Sequence, residues 1–207
     1  MAMKFVAFEG LDGSGKSTLI QDLKSNLMTK GQSVIVTREP GGTPLGDEIR
    51  HLLLRTSGDA PVPRAELLLY EAARAQHVEC VIRPALANKS WVLCDRFTAS
   101  SVAFQAGGRT LARHDIDWLN DFATANMRPD LCVLLDLKTD EAHHRIAKRE
   151  LDRFEREARD FHERVRAGYL ALARENADEW LVLNARLPVT QIREQLVEEL
   201  KRRGWWV

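Results

Sequence analysis

Long apolar runs are missing from this chain. No stretch approaches the roughly 18 residues that a membrane span needs, so no membrane partner is expected. Charge of one sign is missing as well: 30 basic residues face 30 acidic ones, for a formal net charge of zero. That balance argues against a broad electrostatic hold on nucleic acid or on an anionic surface, although local basic clusters still suit a small anion. Cysteine is scarce. Cys80, Cys94 and Cys132 are too widely spaced for a disulfide or thiolate-metal framework, and two of them sit inside apolar runs where a thiol serves as a small hydrophobe. The opening MAMKFVAFEG has no signal-peptide layout, and a reducing cytoplasm is the expected setting. Repeats, low-complexity tracts and linkers are absent too, so a single domain over 1–207 is expected.

What is present is ordinary globular composition, 44% apolar and 29% charged, enough to exclude disorder. Five short apolar runs, Lys4–Phe8, Ser33–Thr37, Trp91–Cys94, Leu131–Leu137 and Trp180–Asn184, alternate with segments of helical period. The helical segments are 16–30, 44–54, 65–87, 116–125, 141–147, 153–176 and 189–203. Strands that are apolar throughout, separated by helices, predict a five-stranded parallel sheet covered on both faces. In such a doubly wound α/β layer, ligands bind at the carboxyl ends of the strands.

The first strand runs into FEGLDGSGKST, where Gly10 and Gly15-Lys16-Ser17 have P-loop spacing in the strand–loop–helix context the motif requires. Glycines let backbone N–H groups turn inward around phosphate, and the helix N-terminus adds its positive dipole end. Lys16 then reaches the outer phosphates, and the Ser17 hydroxyl can bind Mg²⁺. The segment after the last strand, Asn184–Pro188 (NARLP), lacks the Asn-Lys-x-Asp run of a GTPase switch. A kinase and a plain nucleotide-binding module both stay open on the loop alone.

Two arginines narrow this reading. Arg38 in TREPGGT follows the second strand and Arg96 in CDRF follows the third, so both fall at the carboxyl edge beside the P-loop. Planar guanidinium groups there suit a second phosphate, whereas pairing with a neighbouring acidic residue is the plainer alternative. Further on, HHRIAKRELDRFERE places Arg149 and Arg153 four apart, on one face if the segment is helical.

Together the motifs FEGLDGSGKST, TREPGGT, LLLYEAARAQH, DRF, SSVAFQAGGR, PDLCVLLDL and ELDRFE resemble, in order and over nearly the whole chain, the thymidylate kinase family. Gly13 and the basic segment resemble the bacterial form that carries its positive charge in the lid. The resemblance implies a P-loop nucleoside monophosphate kinase fold with a short lid at about 143–156, ATP-dependent phosphorylation of dTMP to dTDP with Mg²⁺, and a homodimer. It implies ATP contacts at Gly10, Leu11, Asp12, Gly13, Ser14, Gly15, Lys16, Ser17, Thr18 and Arg186, with metal ligands at Ser17 and Asp95. On the acceptor side it implies that Asp12 meets the sugar 3′-hydroxyl and that Arg38 and Arg96 hold the phosphate. Tyr70 stacks near the base, Arg74 donates to thymine O4, Ser100, Ser101 and Gln105 contact the base, and Phe104 guards the sugar 2′ position. Lys16, Arg96, Arg149 and Arg153 are the implied catalytic residues. Ser101 and Phe104 depart from the family's usual Thr or Asn and Tyr. Another monophosphate acceptor such as dUMP, UMP or CMP is the nearest alternative, and a non-catalytic P-loop protein the more distant one.

Overall fold

The computed structural model describes residues 4–148 and 150–206. Five parallel strands, β1 (Phe5–Glu9), β2 (Val34–Arg38), β3 (Trp91–Asp95), β4 (Leu131–Asp136) and β5 (Trp180–Asn184), form one sheet in the order β2-β3-β1-β4-β5. Each is within a residue or so of its expected run. β1 and nearly all of β3 and β4 are buried, which is why they read as apolar without alternation. From β1 the chain passes first to one side of the sheet and then to the other, and the crevice at that switch opens over the carboxyl ends. Register places Arg38 beside Asp95, and Phe8 beside Asp95 on the other side. The ends of β2, β3 and β1 thus bring Arg38, Asp95 and Glu9 to a single edge.

The helices are α1 (Lys16–Thr29), α2 (Pro44–Leu54), α3 (Pro63–His77), α4 (Arg83–Ala87), α5 (Thr98–Ser101), α6 (Arg113–Thr124), α7 (Thr139–Ile146), α8 (Arg159–Glu175) and α9 (Val189–Arg202). They cover the sheet with a main core on one face and a second cluster around Phe5, Val92 and Phe97 on the other. No helix among the described residues is long and apolar enough to cross a membrane.

Three segments differ from the expected ones. The single helix expected over 65–87 is α3 and α4 joined by a π-helical stretch, Val78–Ile82. Pro84 at the start of α4 has no N–H to donate and crowds the carbonyl four residues back, which a widened turn relieves. A helical segment not expected from periodicity, α5 with a π-helical continuation Val102–Gly108, lies between β3 and α6. Ser100 to Gln105 are all buried, so no polar face exists to give the 3.6-residue signal.

The helix expected from Arg153 begins only at Arg159. The Asp152 carboxylate accepts from the Phe154 and Glu155 amides at 2.9 and 3.0 Å, while Glu155 accepts from the Asp152 amide at 3.0 Å. This reciprocal capping closes a compact turn and interrupts the helix. Arg153 therefore lies in a turn and not on a helix, and Arg149, its expected partner, lies outside the described residues.

Candidate active site

The phosphate loop joins β1 to α1 with Gly15 in a left-handed conformation at the helix start. Gly10 (φ 132°) lies so close to β4 that a Cβ would sit 2.6 Å from the Leu135 carbonyl oxygen, so only glycine fits. Gly13 (φ 82°) is pressed by α7: a Cβ there would come 2.9 Å from the Ala142 carbonyl oxygen. Across that contact Arg145 donates to the carbonyls of Gly13 (3.2 Å) and Ala185 (2.9 Å). Buried Lys16 bends back to the carbonyls of Gly10 and Leu11, 3.1 Å each. Burial, and then nearby Arg96, lower its pKa, a strain that an anionic ligand would relieve. Ser14 is buried with its hydroxyl unpartnered among the described residues, while Leu11 accepts the Ser14 amide at 3.2 Å.

A cleft of about 490 Å³ opens over this loop, lined by Asp12, Gly13, Gly15, Lys16, Ser17 and Thr18 together with Arg38, Asp95, Arg96 and Arg145. In it the Ser17 hydroxyl donates to the Asp95 carboxylate at 3.2 Å. A hydroxyl and a carboxylate are hard oxygen donors that fit a small divalent cation bound largely through water and phosphate oxygens. Among the described residues no group of three or more His, Cys, Asp or Glu could hold a metal by itself. The site therefore fits a metal that arrives with a nucleotide.

Beside this cleft lies a second, smaller cavity of about 60 Å³. It is lined by all the expected acceptor residues except Arg38: Asp12, Tyr70, Arg74, Arg96, Ser100, Ser101, Phe104 and Gln105. Asp12, Glu39, Arg50 and Arg96 line both spaces and mark where they meet. Phe154 closes one wall, edge-on to Tyr70 and Phe104 with ring centroids 5.9 Å apart in each pair. An aromatic slot with a few fixed polar groups suits a flat base.

Arg74 is the most constrained side chain of this cavity. Fully buried on α3, it donates to Glu39, Glu71, Ser101, Asn120 and the Phe97 carbonyl. Two carboxylates hold its pKa above the ordinary value against burial, which pulls the other way. Glu39 in turn pairs with His77 at 2.9 Å, and His77 meets Thr37 at 2.6 Å. Arg96 takes a left-handed backbone (φ 72°) at the end of β3. Its guanidinium lies 3.1 Å from Asp12 and 5.0 Å from the Phe104 ring. Strain of this kind is stored where the surrounding structure over-determines the position.

Other expected residues lie elsewhere. Arg38 lines the phosphate cleft but is largely exposed, with one 3.7 Å ion pair to Asp47. Arg186 pairs with Glu141 at 3.2 Å on the surface and borders neither cavity. The structure does not bring Arg153 to the phosphate loop: its Nε donates to the Leu53 carbonyl at 2.9 Å and it pairs with buried Glu66 at 2.8 Å. Gln105 also donates to Glu66, at 3.1 Å. Conversely, Arg50 and Arg145 border the clefts without having been expected there. Arg50, on α2, donates to the Pro40 carbonyl at 3.1 Å, and burial lowers its pKa.

A parallel α/β sheet with a phosphate loop, a metal-compatible Ser–Asp pair and an adjoining aromatic-walled cavity defines a P-loop phosphotransferase. The thymidylate kinase family model matches residues 8–196, and the chain belongs to that family. It is 53% identical to a thymidylate kinase of Bdellovibrio bacteriovorus, the match covering 97% of each chain. It is 45% identical to one of Geotalea daltonii, over 91% of this chain and 92% of that one, and 45% identical to one of a Synechococcus species, over 97% and 98%.

Proposed function

We propose that this protein transfers the γ-phosphoryl group of ATP to a phosphate oxygen of dTMP, giving ADP and dTDP for dTTP synthesis. The observation that carries this reading is the meeting of the two cavities at Asp12 and Arg96, one built for a triphosphate and the other for a flat base. The acceptor phosphate is itself a nucleophile, so neither a covalent enzyme intermediate nor a strong base is required. What the chain supplies is alignment and positive charge. Lys16 and the loop amides hold the donor phosphates, Arg96 with Arg38 and Arg50 holds the acceptor phosphate, and Asp12 takes the sugar 3′-hydroxyl. Tyr70, Arg74, Ser101, Phe104 and Gln105 read the base and sugar. Mg²⁺, held at Ser17 and Asp95, would neutralise phosphate charge when bound with ATP.

Arg145 is the lid-proximal cation best placed to follow the transferring group, because it already touches Gly13. Arg153 joins it only if its ion pair with Glu66 opens, and Arg149 is proposed for the same duty on sequence grounds. Arg186 is proposed at the nucleotide periphery. Lid closure over 143–156 would keep water from the γ-phosphate. Leu45, Leu52, Leu68, Trp118 and Phe122 are large exposed apolar residues on α2, α3 and α6, and Trp118 stacks on Phe122; they support a homodimer through these helices. Free thiols at Cys80, Cys94 and Cys132 fit a cytoplasmic enzyme.

The test is ADP release with a panel of monophosphates. Strong turnover of dTMP is expected, with weaker turnover of dUMP, since one methyl in an apolar slot discriminates by about 1–3 kcal/mol. Equal rates with dTMP, UMP, CMP and AMP would contradict the acceptor assignment.

A further inference from the structure

The end of β1 carries a carboxylate that the phosphate loop does not use. Glu9 is completely buried at the end of β1, immediately before Gly10 of the loop. Its Oε1 accepts the Phe97 amide at 2.8 Å. Its Oε2 accepts two hydroxyls, Ser100 at 2.7 Å and Tyr169 at 2.9 Å. Burial raises the Glu9 pKa on balance, and Ser100, Arg96, Phe97 and Tyr169 offset part of that rise. Four favourable partners around one carboxylate is what a buried ionised group requires.

Proton directions then follow. With both hydroxyl protons pointing at Glu9, the oxygens of Ser100 and Tyr169 are turned toward Arg96 as acceptors. Arg96 Nη1 donates to Tyr169 at 3.0 Å and to Ser100 at 3.4 Å. The 2.8 Å Ser100–Tyr169 contact therefore lies between two oxygens that share a carboxylate and a guanidinium. Two hydroxyls bridge a buried anion to a partly buried cation, and Nη2 meets Asp12 from the other side. Among the described residues, these contacts fix Nη1 and one proton of Nη2, so the guanidinium plane is set before any phosphate arrives.

We infer that Tyr169 and Glu9 are positioning residues for the acceptor phosphate, acting through Arg96. Tyr169 comes from α8, remote in sequence from both cavities, and is fully buried against Phe104. Ser100 belongs to the same bridge, so its hydroxyl serves Arg96 rather than the base. The inference rests on Arg96 holding the acceptor phosphate. A residue that only stabilised the pocket would affect the base and the phosphate alike, whereas one acting through Arg96 affects the phosphate alone.

The experiment compares binding of dTMP with binding of thymidine, which lacks the phosphate, to Tyr169→Phe, Arg96→Lys and the double variant, by titration calorimetry. Tyr169→Phe keeps the ring and removes only the hydroxyl. Losing a hydrogen bond to a charged group is worth about 10-fold or more in affinity. The expected result is that Tyr169→Phe weakens dTMP by about that factor, leaves thymidine within about twofold, and adds little once Arg96 is Lys. Equal weakening of dTMP and thymidine, or full additivity with Arg96→Lys, would overturn the positioning role. If Arg96→Lys itself does not weaken dTMP relative to thymidine, the assignment of Arg96 fails instead, and with it the basis of the inference. Should Tyr169→Phe misfold, Ser100→Ala carries the same comparison with the same expected outcome.

Discussion

Arg74 and Arg38 flank the same carboxyl edge of the sheet and carry the same charge. Arg74 is 1% exposed and donates to five groups; Arg38 is 58% exposed and has one 3.7 Å ion pair. The side of the site proposed to read the base is thus assembled inside the fold. Its guanidinium is neutralised by Glu39 and Glu71, and the loss of side-chain freedom is already met during folding. The phosphate side is different. Arg96 there is held by Tyr169, Ser100 and Asp12, but exposed Arg38 is screened and weakly paired, and its order comes from the multiply charged ligand. Selectivity between bases needs fixed donors, because a misplaced group loses discrimination. A phosphate tolerates several approach directions, so one exposed arginine can serve beside the fixed Arg96.

The largest effect that would sharpen this contrast is on Arg74. Arg74→Ala leaves Glu39 and Glu71 buried without their cation, and it should lower unfolding free energy by about 3 to 5 kcal/mol, measured by denaturant melts. A loss below about 1 kcal/mol would break the comparison, since Arg74 would then be no part of the scaffold. Arg38→Ala should show the opposite pattern. Stability should hold within about 0.5 kcal/mol, while kcat/KM for dTMP falls about 10- to 100-fold, as expected for one charged hydrogen bond or slightly more. If both substitutions destabilise alike, the two sides are not built differently.

Much of this was legible in the chain, for identifiable reasons. The phosphate loop is local: its glycines and Lys16 lie within eight residues, Gly10 to Ser17, and their backbone needs are written in residue type. Arg96 was legible because it directly follows β3. Arg145 was not, since nothing in HHRIAKRE distinguishes it from its basic neighbours; only the packing of α7 on Gly13 does. Arg153 was read as a helical partner of Arg149, although Asp152 and Glu155 have the Asp-x-x-Glu spacing of a capping box that could have marked the turn. The bridge from Glu9 to Tyr169 joins residues 160 apart in sequence, and no local pattern reports such a contact. The α5 segment escaped because burial on all sides removes periodicity.

If the acceptor side is complete before ligand arrives, its backbone should already be locked in the free protein. The Phe97 amide, bonded to buried Glu9 at 2.8 Å, is a direct reporter, and the amides of 150–156 report the proposed lid. Hydrogen exchange of the free protein, followed by the dTMP complex and the complex with dTMP and a non-hydrolysable ATP analogue, measures both. The account predicts strong protection at Phe97 in all three states, with lid protection rising only as ligands bind. A Phe97 amide that exchanges as fast as the lid in the free protein, and slows only with dTMP, would contradict it.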